Sequence, residues 1–295
     1  MRGKLVIAGL ILSVSGLGAH AQNAPSRNTP FPNDIYCSGV VTTEAVPQKT
    51  FLITGEESDK RLVFDNGDIV YINRGSDDGA KVGDRFSIIR AVNRDPVREE
   101  WSKWQFDIFK RMGTLWADEG RVRVVTVQKK TSIALVEHMC DMLQRGDIAV
   151  PFVELPTPAL KTVSGWDHFA PPDGKSKAMI ITGADFRDEI GTNDIVYINL
   201  GNAQGVRVGD YFRVFRYTGT QHDFAYQTPR YAFDQQFGKG LLYGFGAVPA
   251  SFNWDNTPRE VVGEGVVLRT GTNAATVLIT FATREIYTGD YVELE

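Results

Sequence analysis

A segment of 23 residues occurs twice in this chain, and it constrains the fold more than any other feature. Asp68 to Arg90 reads DIVYINRGSDDGAKVGDRFSIIR, and Asp194 to Arg216 reads DIVYINLGNAQGVRVGDYFRVFR. The second copy lies 126 positions after the first (194 − 68 = 126), without a gap, and 13 of the 23 positions are identical. A long internal repeat indicates that one structural unit has been duplicated. We therefore expect two copies of one fold in tandem.

Each copy has the pattern of two strands joined by a glycine-rich turn. The run Ile195–Asn199 alternates and is rich in β-branched and aromatic residues, which is typical of a strand. The glycines after it favour a turn, because a positive φ is cheap only for glycine. A phosphate-binding loop would need a helix and a Lys-Ser/Thr pair after the glycines, and neither pattern follows. The residues of the predicted turn motif are Gly75, Gly79, Gly83, Asp84, Gly201, Gly205, Gly209 and Asp210.

The strand patterns outside this hairpin also occur twice. Phe51–Gly55 corresponds to Met179–Gly183, and each copy closes with Gly-Asp followed by a short strand. About five to seven short strands per copy, separated by turn residues, predict an all-β fold in which a small barrel or sandwich is present twice. The predicted boundaries are a first unit at 35–152, a proline-rich linker at 153–172 and a second unit at 173–295.

Both copies carry an insert after the repeated hairpin. In the first, Trp101, Trp104, Ile108 and Met112 have helical spacing, which favours a short helix. In the second, the segment 224–254 is rich in aromatic residues and glycines and has few charges. Two interpretations stay open for it, a surface for a protein or glycan partner and a flap that packs on its own unit. The candidate partner-binding aromatics are Tyr226, Tyr231, Phe233, Phe237, Tyr243, Phe245, Phe252 and Trp254.

The first 21 residues have the pattern of a secretory signal. Arg2 and Lys4 precede the apolar run Leu5–Leu17, and Ala19 to Ala21 fits a signal-peptidase site. The apolar run is too short and too interrupted to predict a transmembrane helix, and no later segment has about 18 consecutive apolar residues. We therefore expect an exported protein, periplasmic or associated with the outer membrane, that begins with a flexible, extended leader at 22–34.

The charge balance limits the classes of partner that we expect, and the cysteine content indicates the redox state of the compartment. Without the signal, the 32 basic residues become 30, because Arg2 and Lys4 are removed, against 36 acidic residues. A mildly acidic chain without basic clusters argues against nucleic acid as a partner. Cys37 and Cys140 are the only cysteines, and in an oxidising compartment they predict one disulfide within the first unit. Two unrelated buried thiols are the alternative.

The sequence offers no convincing catalytic or metal-binding set. The histidines after the signal are His138, His168 and His222, and none lies at metal-ligand spacing with carboxylates. Tandem β-barrels also occur in chymotrypsin-like proteases, but the chain lacks a Gly-Asp-Ser-Gly stretch, and Ser164 near His168 is only a remote candidate. We predict no enzyme activity, no metal and no cofactor, with an exported hydrolase as the alternative.

The glycine pattern resembles two families of bacterial envelope proteins. The pattern is a strand, then Gly-x-x-x-Gly-Val-x-Val-Gly-Asp-x-Phe-x-Val, and then a later Gly-Asp strand. It is similar to the pattern of the carboxy-terminal domain of flagellar assembly protein T and to that of the tandem barrels of rod-shape-determining protein C. Similar repeats are appended to LysM peptidoglycan-binding proteins. The residues that carry the likeness are Gly201, Gly205, Val206, Val208, Gly209, Asp210 and Phe212, and Gly75 to Phe86 repeat them with Ala80 in place of valine.

The resemblance implies a β-barrel fold and an envelope location more than it implies one activity. We therefore predict a non-catalytic envelope protein that acts as a structural or protein-interaction module, with another envelope protein or peptidoglycan as its partner. Two alternatives stay open. One is an exported hydrolase with a site in the cleft between the barrels, and the other is a module that binds the wall or a small ligand.

Overall fold

The computed structural model describes residues 27–57, 60–92, 103–162, 165–217 and 259–295. These residues form 17 strands and two α-helices, which confirms the predicted all-β class. Within the described ranges, neither helix has the length and hydropathy of a membrane-spanning segment.

The first unit contains both helices and nine strands. Their bounds are α1 Pro32–Tyr36, β1 Val40–Thr42, β2 Leu52–Gly55, β3 Val63–Phe64, β4 Ile69–Ile72, β5 Arg85–Ala91, α2 Lys103–Met112, β6 Thr114–Val127, β7 Ser132–Met139, β8 Leu143–Gln144 and β9 Ile148–Pro151. Helix α2 confirms the helical spacing in the first insert. Helix α1 starts where the sequence predicted an extended leader, because Pro32 fits the first helical turn and the Asp34 carboxylate accepts the Phe31 N–H at 2.8 Å.

The second unit contains the remaining eight strands. Their bounds are β10 Lys177–Gly183, β11 Glu189–Ile190, β12 Ile195–Ile198, β13 Tyr211–Tyr217, β14 Arg259–Thr270, β15 Ala275–Ala282, β16 Ile286–Tyr287 and β17 Tyr291–Leu294. The segment between the units has no helix or strand among its described residues, and its buried Ala170 packs on the second unit.

The antiparallel pairings of the two units correspond strand for strand. The first unit pairs β2–β4, β4–β7, β7–β6, β6–β5 and β5–β9, and the second pairs β10–β12, β12–β15, β15–β14, β14–β13 and β13–β17. The short pairs β3–β8 and β11–β16 also match. Arg85 of β5 pairs with Arg123 of β6, and the corresponding pair of the second unit is Tyr211 of β13 with Val266 of β14. Corresponding residues are therefore 126 positions apart for β5 and β13 and 143 positions apart for β6 and β14. The duplication predicted from one hairpin therefore extends over the whole unit.

The two units close in different ways. In the second, β10 pairs with β17, and six strands form a closed barrel. In the first, β2 and β9 share a single bridge, between Phe51 and Ile148, and three backbone hydrogen bonds join the segments around them. The donors are the N–H groups of Leu52, Gly146 and Ala149, and the acceptors are Asp147 O at 2.8 Å, Leu52 O at 2.8 Å and Thr50 O at 2.9 Å, respectively. Strand β1 pairs with β6 and brings the first sheet to seven strands. The main sheets thus have seven and six strands, within the predicted five to seven, and the short pairs β3–β8 and β11–β16 bring the units to nine and eight strands.

Every second residue of the barrel strands points into an apolar core. In the first unit Leu52, Val70 and Ile88 belong to one buried cluster, and in the second unit Ile180, Val196 and Val214 occupy the equivalent positions of another. The outward residues of the same strands therefore decide how the units contact each other and the surroundings.

The glycines of the repeated turn have two separate structural roles. Gly79 and Gly83 have φ values of 78° and 93°, and their equivalents Gly205 and Gly209 have 88° and 93°. These four positions lie in the left-handed region, where a side chain is unfavourable. A single 3-10 turn precedes Gly79 and another precedes Gly205, at 76–78 and 202–204.

Gly75 and Gly201 are instead extended and are required for space. A Cβ at Gly75 would lie 2.4 Å from Lys129 O, and a Cβ at Gly201 would lie 2.4 Å from Gly271 O. The hairpin turn of each unit thus packs directly on the backbone of a second turn. The carboxylates of Asp84 and Asp210 complete the motif by accepting backbone N–H groups at 2.9 and 2.8 Å.

Candidate functional site

The insert of the first unit lies on the outer face of the second unit. Phe109 and Met112 of α2 are buried in one cluster with Ile181 and Tyr197, which point outward from β10 and β12. The buried Gln105 side chain donates its Nε2 hydrogen to the backbone oxygen of Ile181 at 2.8 Å. Helix α2 therefore covers an apolar sheet face and also bonds to the backbone beneath it.

The residues before β1 extend this contact to two neighbouring strands. The buried Tyr197 hydroxyl donates to Ser38 O at 2.9 Å, and the Thr276 hydroxyl donates to Gly39 O at 3.0 Å. Burial raises the pKa of Tyr197, with the Asp118 charge as the next cause, so this hydroxyl stays protonated and remains a donor. The two units are thus joined through specific backbone oxygens as well as apolar surface.

One buried ion pair crosses the same junction. Asp118 accepts the Gly39 N–H at 2.8 Å and Arg269 Nη1 at 2.7 Å. Burial raises the pKa of the Asp118 carboxyl, and the opposing effect of Arg269 does not cancel it. At this junction the described residues of the two units pack against each other.

Among the residues that the structure describes, none covers the equivalent face of the first unit in this way. Phe51 and Ile53 are each 37% exposed, whereas Ile181, the equivalent of Ile53, is completely buried under α2. Outward residues of β4 and β7 extend this apolar surface, and each is half-buried. In the register of the sheet, Ile69 lies opposite Leu135, and Tyr71 lies opposite Ile133. We call this surface the open face; its members are Phe51, Ile53, Ile69, Tyr71, Ile133 and Leu135.

The predicted disulfide is present and lies at one end of the first unit. Cys37, just after α1, is bonded to Cys140, just after β7, with their Cα atoms 5.3 Å apart. His138 is beside this bond, with Nε2 3.5 Å from Cys37 Sγ. All three residues are half-buried. The prediction of one disulfide is therefore confirmed, and the alternative of two unrelated thiols is wrong.

A buried acidic group lies close to the disulfide in the chain. The pairing of β5 with β6 is irregular at Glu119, because Ile88 lies opposite Gly120 while Ile89 lies opposite Asp118. Glu119 is 2% exposed and lies 3.1 Å from Arg90, which also forms a two-pronged pair with Asp147. Burial raises the pKa of Glu119 to about 8, although Arg90 acts in the opposite direction.

Neither described histidine pairs with a serine in the part of the chain that the structure describes. His168 Nε2 lies 2.9 Å from Glu260 Oε1, and the same oxygen lies 2.6 Å from Arg284 Nη1. His138 contacts the disulfide instead. The remaining candidates, Ser164 and His222, lie outside the described residues, as do all eight candidate aromatics of the second insert.

The open face was not among the sequence-predicted sites, and the repeat alone gives no signal for it. Ile53 and Ile181 are the same residue at equivalent positions of β2 and β10, yet within the described ranges Ile181 is covered and Ile53 is 37% exposed. In comparisons with known proteins, no family model and no curated sequence matches this chain. The resemblance to envelope repeat proteins therefore stays a prediction.

Proposed function

We propose that this protein is exported to the bacterial envelope, where it acts as a non-catalytic interaction module. In this proposal the open face of the first unit binds an amphipathic helix of another envelope protein. One observation carries the proposal: the chain itself covers the equivalent face of its second unit with such a helix, α2. The disulfide and the signal-like start of the sequence support an exported location.

The chemistry of α2 indicates what kind of partner the open face would accept. Helix α2 presents aromatic and methionine side chains to Ile181 and Tyr197, and Gln105 donates to a strand oxygen. Ile53 and Tyr71 occupy the equivalent positions on the open face. A partner helix with a similar apolar stripe would bury the exposed parts of these side chains, since each fully buried large apolar side chain contributes about 1.5–3 kcal/mol.

The second insert remains a second candidate contact in this proposal. It lies between β13 and β14, and α2 lies between the equivalent strands β5 and β6. Because the first insert makes a protein contact, we propose the same kind of role for the aromatic segment 224–254. Its candidate residues are Tyr226, Tyr231, Phe233, Phe237, Tyr243, Phe245, Phe252 and Trp254.

Affinity capture from envelope extracts tests the proposal with matched variants. The first variant is Ile53→Glu on the open face, and its control is Val82→Glu, which is 67% exposed in the turn between β4 and β5. We expect a partner that the wild type and the Val82→Glu protein capture equally and that Ile53→Glu loses. A chain lacking 224–254 tests the second contact separately. Identical captured proteins for all four chains would refute the proposal.

Peptidoglycan as the partner makes a different prediction. Co-sedimentation of the purified protein with isolated wall material measures it directly. The wild type and Ile53→Glu would then sediment equally with the wall material and capture the same proteins. That result would favour peptidoglycan as the partner over a protein bound at the open face. Loss of a captured protein in Ile53→Glu alone would favour the protein partner.

A further inference from the structure

Three metal-ligating side chains of the first unit converge at the disulfide. The ligand atoms of Cys37, His138 and Cys140 all lie within 4.8 Å of one another. The group joins three places in the chain, because Cys37 follows α1, His138 lies near the end of β7 and Cys140 follows that strand. The half-buried position of all three leaves the group accessible from solvent.

The fold of the unit does not require these residue types. With the 143-position offset between β7 and β15, Phe281 is the equivalent of His138, and Thr283 is the equivalent of Cys140. In the second unit Phe281 packs against Trp166, with ring centroids 4.8 Å apart. The same barrel corner can therefore be built from an aromatic contact, and the sulfur and imidazole groups of the first unit need another explanation.

We propose that reduction of this disulfide converts the group into a binding site for a divalent transition metal of the zinc class. The ligands are Cys37 Sγ, Cys140 Sγ and His138 Nε2. Two thiolates and one imidazole form a common zinc ligand set, and three protein ligands leave a fourth tetrahedral position to solvent. The oxidised protein has no free thiolate and does not bind the metal in this way.

The separation of sulfur and nitrogen already suits such an ion. Zinc–sulfur and zinc–nitrogen bonds of about 2.3 and 2.05 Å at a tetrahedral angle place the two ligand atoms about 3.6 Å apart. Cys37 Sγ and His138 Nε2 are 3.5 Å apart. Two thiolates on one tetrahedral ion would be about 3.8 Å apart. After the bond is broken, rotation of the cysteine side chains on Cα atoms 5.3 Å apart can provide this distance.

The reaction balances with a dithiol as the reductant. One thiolate of the dithiol attacks a sulfur of the Cys37–Cys140 bond, and the second thiol then resolves the mixed disulfide. Two electrons and two protons pass to the protein, which gains two thiols, while the dithiol becomes a disulfide. Metal binding releases both thiol protons, and the charge of the dication is cancelled by the two thiolates.

The neighbouring charges are compatible with this site. Arg121 lies opposite His138 in the sheet, and its guanidinium group is 4.9 Å from the Phe152 ring and 3.7 Å from Glu137. Asp141, next to Cys140, is exposed and adds a negative charge near the metal position.

Cobalt(II) titration of the reduced full-length protein tests the proposal. The protein is reduced with a phosphine, freed of reductant without oxygen, and titrated while the thiolate-to-cobalt charge-transfer absorbance is followed. We expect one cobalt per reduced chain, displaced by zinc, and none for the oxidised chain. The variant His138→Phe keeps the disulfide and takes the residue of the second unit. This variant should bind cobalt about tenfold more weakly or worse than the wild type. Removal of a group that only hydrogen-bonds to a metal ligand already weakens binding by about tenfold or more, and removal of the ligand itself should weaken it further.

Circular dichroism of each sample shows whether the fold persists. The double variant Cys37→Ser, Cys140→Thr is the folded control that should give no charge-transfer absorbance. Equal cobalt affinity in the wild type and His138→Phe would overturn the three-ligand site. Absence of cobalt binding by a folded, reduced wild type would overturn the site altogether. Loss of the folded signal on reduction would also overturn it, since the site requires the intact barrel corner.

Discussion

Replacement of Glu119 by valine should stabilise the protein, and the gain should grow with pH. The second unit supports this substitution directly, because the equivalent residue Val262 is completely buried in its core. Arg90 would keep its two-pronged pair with Asp147 after the change. The variant therefore removes a buried acidic group and leaves its cationic neighbour with a partner.

The magnitude follows from the pKa of Glu119, which burial raises from 4.5 to about 8. The nearby acidic groups Asp147, Asp141 and Asp118 act in the same direction, and Arg90 opposes them. A raised pKa means that the folded state prefers the protonated acid. The contribution of Glu119 to the free energy of unfolding is therefore fully present below about pH 4.5, and it is lost as the pH rises through about 8. At about 1.4 kcal/mol for each pH unit, the loss is on the order of 5 kcal/mol.

Urea unfolding of the oxidised protein at pH 5 and at pH 9 measures this effect. The difference in the free energy of unfolding between Glu119→Val and the wild type should increase by about 3–5 kcal/mol between these values. Glu119→Gln is the matched control, because it is neutral at both pH values and keeps the shape of the side chain. A difference that is the same at pH 5 and pH 9 would refute the assigned pKa and its origin in burial.

Four further substitutions test the packing. Gly79→Ala should lower the free energy of unfolding by about 1–2 kcal/mol, because φ at this position is 78° although the space around it is open. Gly75→Ala should lower it by about 3 kcal/mol, because the added methyl group would contact a backbone oxygen. Equal losses in the two variants would contradict the two roles. Arg259→Met should cost about 3–5 kcal/mol in thermal or urea unfolding, because it leaves the buried Glu293 carboxylate unpaired. Tyr197→Phe should cost about 1 kcal/mol through the lost hydrogen bond across the junction, and an unchanged midpoint would argue against that bond.

The duplicated architecture was predictable because its signals are local. Glycines such as Gly79 and Gly205 are needed for a backbone conformation, so both copies keep them. The apolar spacing from Trp104 to Met112 likewise predicted α2 without knowledge of its neighbours. Helix α1 was missed because five residues with one proline carry too little periodic pattern to distinguish a helix from an extended leader.

The candidate surface was not predictable, because it depends on contacts between the units. Ile53 and Ile181 have the same local sequence pattern, and only the position of α2 makes one exposed and the other buried. The buried acid Glu119 was hidden for a related reason. The pairing of β5 with β6 is irregular at this residue, and the alternation of a regular strand does not reveal such a shift.

Site-specific photo-crosslinking in producing cells tests the central claim most directly. A photoreactive residue is placed at Ile53 on the open face, and in a second chain at Val82, an exposed apolar residue of the same unit. We expect a crosslinked envelope protein from position 53 and none from position 82. The same products from both positions, or none from position 53, would contradict the claim that the uncovered sheet face of the first unit is a docking surface.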